Sequence, residues 1–101
     1  MVFDLRRALL AKEEVESARL EDFAFRQRVR AWRLLGAALG LPPEDMARRS
    51  ARDADAALLA ALAGETGVAE AELRAKFAAC SAEARRQLIA ERGDPAPFRL
   101  G

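Results

Sequence analysis

Four arginines around one tryptophan are the densest concentration of chemistry-bearing side chains in the sequence. Arg26, Arg28, Arg30 and Arg33 lie in the stretch 23–41, FAFRQRVRAWRLLGAALGL, which also holds Trp32 and two of the five phenylalanines. Guanidinium groups at this density suit a phosphate, which they grip through paired N–H donors. Arg26, Arg30 and Arg33 recur on one helix face and are the candidate phosphate- or nucleotide-binding residues, with adenine nucleotide as the ligand to test. The competing explanation is a solvated basic face beside a core tryptophan, balanced by Glu21, Asp22, Glu44 and Asp45. That explanation is the stronger one. Nucleic-acid-binding domains of this size carry a clear basic excess, whereas here 17 basic side chains meet 16 acidic ones, a net charge of +1. Such a balance draws in neither nucleic acid nor an anionic membrane, and neither is expected as a partner.

The remaining residues offer little to a catalyst. Histidine is absent, which removes the usual acid–base group and metal ligand. Cys80 is the sole thiol. It falls in line with Leu73, Phe77, Ala84 and Leu88, where a buried structural cysteine is favoured over a nucleophile. Asp53 and Asp55 straddle a helix face and form no carboxylate pair. Gly36 and Gly40 lack the following Lys and Ser/Thr of a phosphate-binding loop. No catalytic residue, metal site or cofactor is expected, and the chain reads as a non-enzyme. A single cysteine excludes an internal disulfide and fits a reducing compartment. No apolar run approaches the roughly 18 residues of a membrane span, and the start carries no signal-peptide pattern. The expected location is the cytoplasm.

The elements that position these residues are helical. Alanine dominates, with Leu, Arg and Glu behind it, and β-branched residues are scarce; this composition predicts an all-α fold. Phe25, Val29, Trp32, Leu35 and Leu39 step four, three, three and four, which is one helix face. Residues 2–39 read as one long helix whose seam fades before Val15: Lys12 falls on it, and Glu13, Glu14 and Glu16 make its middle polar. Pro42 and Pro43 stop that helix and start the next. Over 43–64 one continuous helix is favoured, ending at Gly64. Ser50 to Asp53 is an alternative cap that would split it in two. A last helix covers 69–92, with acidic residues at its start and basic ones at its end, as the helix dipole prefers. A short tail, 93–101, follows, with Phe98 and Leu100 as apolar contacts. The expected fold is an antiparallel bundle of three to four helices over 17–92. The first helix, at roughly 55 Å, outruns partners of about 30–35 Å. Residues 1–16 are thus left as a mobile or projecting N-terminal arm, of the kind that folds against a partner.

Several short motifs resemble one known family. They are Phe3, Asp4, Arg6, Ala8, Ala11 and Lys12 at the start; Phe25 and Arg26 through Arg30, then Arg33 to Gly36; Leu39 to Leu41; Leu73 to Phe77; and Ala84 and Arg85 with Gln87 to Glu91. Together they resemble the small alphaproteobacterial family of ATPase inhibitor (zeta) subunits, all-helical proteins formerly a family of unknown function. The resemblance implies a bundle with a long first helix, and a regulatory role at the F-type ATP synthase. Its N-terminal arm would enter the catalytic head and block ATP hydrolysis. On that resemblance Phe3, Asp4, Arg6, Arg7, Ala11 and Lys12 are the partner-binding residues, and the rest of the chain is a globular anchor.

Overall fold

Strong helix formers broken only by Gly, Pro and one Ser/Asp-containing segment give helix throughout. The computed structural model describes the backbone of residues 5–95 and the side chains of residues 17–95. Over that span the order is α1 (Leu5–Ala38), α2 (Pro43–Arg52), α3 (Asp55–Thr66) and α4 (Glu70–Arg92). The fold is an all-α bundle, and no strand occurs among the described residues.

α1 is the spine. It runs antiparallel to α4: Trp32 stacks on Phe77 at 4.2 Å between ring centroids, Gln27 bonds Ser81, and Arg19 reaches the Pro95 carbonyl beyond the end of α4. α2 and α3 cover another side of α1. The main core is Trp32, Leu35, Met46, Leu58, Leu59, Leu62 and Leu73, with Leu39, Leu41, Val68, Phe77 and Cys80 packed around it. Phe23, Ala31, Ala84 and Leu88 are buried as well and line the contact between α1 and α4. α1 has 34 residues and α4 has 23, about 51 Å against about 35 Å. The pairing begins near Arg19, so the first turns of α1 run on past the end of α4.

Phe25 departs from the expected seam. It shares the face of Trp32, two turns earlier, yet it is 59% exposed. α2 and α3 reach that face only from Arg28 onward, and α4 lies on the Phe23–Gln27–Ala31 side, so nothing covers Phe25.

The middle segment is two helices rather than the favoured continuous one. Asp53 is extended (φ −111°, ψ 146°), and so is Ala54. Arg28 takes the carbonyls of Ser50 and Asp53, acceptors that an unbroken helix would give to amides four residues on. Ser50 is the one buried polar residue described, and its hydroxyl turns back to the Ala47 carbonyl at 3.0 Å. α3 also passes through Gly64, its expected end. It stops at Gly67, whose φ of 75° supplies the left-handed cap. Thr66 reinforces that end by donating to the Leu62 carbonyl and accepting from the Val68 amide.

Two glycines fix how α1 meets α2. Gly40 (φ 76°) closes α1 in a Schellman turn, with Leu41 N–H bonded to Gly36 O at 2.8 Å and Gly40 N–H to Ala37 O at 3.2 Å. Gly36 is where α2 comes close: a Cβ there would lie 2.3 Å from Met46 Cγ, and Met46 is fully buried. Gly36→Val should therefore lose about 1–3 kcal/mol of stability, the usual range for overpacking a core. Combined with Met46→Ala it should lose less than the sum of the two single effects. Urea unfolding of the three variants measures this; strict additivity would mean that the close approach carries no energetic weight.

Candidate functional site

The four-arginine cluster is not a convergent cation site. Arg26, Arg30 and Arg33 share one side of α1 and Arg28 leaves it on another, and the fold gives the four different neighbours. Arg26 pairs with Asp22 one turn back, Nε to Oδ2 at 2.9 Å, both side chains about half exposed. Arg30 crosses to α4 and grips Glu91 through two bonds, Nη1 to Oε1 at 2.7 Å and Nη2 to Oε2 at 2.9 Å, with Gln87 at 3.4 Å. Arg33 is exposed and makes no hydrogen bond or ion pair among the described residues.

Arg28 has a structural task. Its Nε donates to Asp55 Oδ1 at 2.8 Å, Nη1 to the Ser50 carbonyl at 2.6 Å, and Nη2 to the Asp53 carbonyl at 2.9 Å. The same Asp55 oxygen accepts the indole N–H of Trp32 at 3.0 Å. One guanidinium thus caps the carbonyl end of α2 while its carboxylate partner sits in the first turn of α3. A cation at a helix C-terminus and an anion at an N-terminus both lie the way the dipole favours. A second arginine closes the pair: Arg49 of α2 bonds both oxygens of Glu65 of α3, at 2.9 and 3.0 Å. Neither task is visible in the sequence. The available signal was Trp32, since a buried indole N–H needs an acceptor, and Asp55 stands just past the Ser50–Asp53 segment.

Electrostatics follow the pairs. The hydrogen bonds to Arg30 hold the Glu91 carboxyl below the ordinary glutamate range, against a smaller opposing effect of burial, and the charges of Arg30 and Arg92 add to the lowering. Arg30 itself is pushed up by Glu91. Glu83 is lowered chiefly by its bond to Arg86. Burial pushes the Cys80 thiol up, away from the thiolate that nucleophilic chemistry needs. No group of His, Cys, Asp and Glu among the described residues has the arrangement to hold a metal ion.

The expected partner-binding residues are placed only in part. Phe3 and Asp4 lie outside the described residues. Arg6, Arg7, Ala11 and Lys12 belong to the opening turns of α1, and their side chains lie outside the described set, as do Phe98 and Leu100 of the tail. No helix among the described residues is long and apolar enough to cross a membrane.

One concave feature stands at the foot of that extension. A cavity of about 190 Å³ is lined by Arg19, Asp22, Phe23 and Arg26 of α1 and by Arg92, Gly93 and Pro95 beyond them. Compared with known protein families, curated proteins and solved structures, the chain matches none.

Two outcomes test these assignments. Arg28→Ala should cost about 2–3 kcal/mol, because charge-assisted bonds are lost and the carbonyls of Ser50 and Asp53 lose their donor. Arg28→Lys should recover little, since an ammonium cannot reproduce the three-point fork. Denaturant titration distinguishes these from a surface arginine, whose loss would move stability by no more than about 0.5 kcal/mol. For Glu91 the folded pKa is the lower one, so the Arg30–Glu91 contribution is present above the unfolded glutamate value of about 4.3 and is lost as pH falls through the folded value. Side-chain carboxyl NMR should find Glu91 titrating below that value in the native chain, and Arg30→Gln should bring it back up.

Proposed function

We propose that the chain is a non-enzymatic, cytoplasmic regulator of the F-type ATP synthase. In this reading its N-terminal arm binds the catalytic head as a helix and blocks ATP hydrolysis sterically. The supporting observation is the geometry of α1: one helix supplies the spine of the bundle from Ser17 on and continues for three more turns past the end of α4. Those turns carry Arg6, Arg7, Ala11 and Lys12, and with Phe3 and Asp4 they are the residues of the family resemblance. A helix continuous with a packed bundle suits steric work, because force on the arm is borne by the anchor.

The phosphate reading draws less support. Arg26 and Arg30 are already bonded to carboxylates, and a phosphate would have to displace them. An exposed Arg33 is too little for a nucleotide site. The bundle then has the role of anchor or adaptor rather than of nucleotide receptor.

ATP hydrolysis by a cognate catalytic head is the test, with the full-length chain and with a chain lacking residues 1–16. All buried side chains described lie between Phe23 and Leu88 apart from Pro95, so the shortened chain keeps its core. Inhibition by the full-length chain and at least a tenfold loss of potency in the shortened one is the expected result. No inhibition by either would overturn the reading and leave a bundle with a different partner.

A further inference from the structure

One side of α1 stays open in the bundle, and the row of side chains along it is complementary to itself. From this row we infer that two copies of the chain pair through α1, antiparallel, with Phe25 of each packed on Val29 of the other. The pairing does not depend on the inhibitory arm. The row is Asp22, Phe25, Val29 and Arg33, at steps of three, four and four, the spacing of neighbours along one side of a helix. α4 takes the Phe23–Gln27–Ala31 side of α1, and α2 and α3 take Arg28, Trp32 and Leu35. Neither reaches the row: Asp22, Phe25 and Arg33 are exposed, and Val29 is half-buried.

The order of the row selects its partner. Along α1 it reads acid, phenyl, isopropyl, cation, and an antiparallel second copy presents the reverse. Asp22 then meets the partner's Arg33 and Phe25 meets the partner's Val29, and a two-fold axis repeats both contacts. The spacings agree to one residue: Asp22 to Phe25 rises about 4.5 Å and Val29 to Arg33 about 6 Å, a difference that a long arginine side chain takes up. A parallel copy would set Asp22 on Asp22 and Arg33 on Arg33, like charge on like. The charges are available for the exchange. Arg33 makes no hydrogen bond or ion pair among the described residues. Asp22 accepts from Arg26 Nε at one oxygen, at 2.9 Å; a carboxylate has room for further donors, so it can bridge its own Arg26 and the partner's Arg33. A nucleic acid or an anionic membrane would meet the acid in this row, on a chain of net charge +1, and fits it less well than a second copy.

The fold also limits the contact. From Asp22 to Arg33 the row is about 17 Å long. It ends where α2 arrives, with Met46 over Gly36. A crossing angle between the two copies of α1, the rule for packed helices, carries the partner's earlier turns away from α2. With one large aromatic side chain per copy the interface belongs at the small end of specific contacts, so the dimer should form in the micromolar range.

Sedimentation equilibrium of the full chain, from about 1 μM to about 1 mM, tests the pairing. Circular dichroism and urea unfolding of each variant serve as the check on folding, since every substituted side chain is exposed. The expected result is a monomer–dimer equilibrium that weakens at least tenfold in Phe25→Glu, in Asp22→Arg and in Arg33→Asp. The double variant Asp22→Arg, Arg33→Asp should recover the dimer, because the exchanged charges meet again only across an antiparallel pair. A chain that stays monomeric throughout, a dimer undiminished by Phe25→Glu, or a double variant no better than its parents would each overturn the inference. A monomer whose Phe25→Glu variant loses inhibition of the catalytic head would assign the row to that partner and overturn it too.

Discussion

The bundle turns on one guanidinium. Arg28 leaves α1 where α2 ends and α3 begins, and its bonds to Ser50, Asp53 and Asp55 hold the three helices at a single point. Without it the part-buried carbonyls of Ser50 and Asp53 would lose this donor, and an unmet carbonyl is costly. The bond from Trp32 to the same Asp55 oxygen sets the indole that stacks on Phe77, so the brace also orients the centre of the core. The break between α2 and α3 is thus a tertiary feature: helix propensity on either side is good, and a side chain from a third helix decides where the chain turns.

This explains which parts of the fold were legible in the sequence. The all-α class, the stop at Pro42 and Pro43, the Leu73–Leu88 face and the end of α4 at Gly93 each follow from local chemistry and need no knowledge of neighbours. The sequence also allows a split middle helix, but alanine-rich helix propensity favours the continuous form over the caps that Ser50 and Asp53 offer. The spacing of Phe25 matches Trp32 and predicts a core position for it. Periodicity identifies a face but not how far along it the partner helices reach, and α2 and α3 reach α1 only from Arg28 onward, too late to cover it. Gly64 looked like a terminus because glycine usually follows a helix; Gly67, with Thr66 able to bond both sides of the turn, won the cap.

The candidate site shows the same limit more sharply. Arginines four residues apart looked like a cluster, and the bundle distributes them to Asp22, Asp55 and Glu91. Acid and base are nearly equal in number in this chain, and the fold uses that equality: the carboxylates that satisfy Arg28 and Arg30 come from α3 and α4. A sequence can report that charges balance, but only the packing reveals which balances which. The cavity beside Arg19 and Arg92 was invisible for the same reason, since its walls are separated by about seventy positions along the chain.

α1 therefore has two regimes. From Arg28 onward Arg28 and Arg30 are paired across helices and Ala31, Trp32 and Leu35 are buried, so this half belongs to the anchor. Between Ser17 and Arg26 it packs on α4 and carries Leu20 and Phe25, the two large hydrophobics that are exposed among the described residues. A helix in water is held mainly by burying one face, and here that support thins step by step toward the N-terminus as first α2 and α3, then α4, fall away. The cavity sits at the last of these steps.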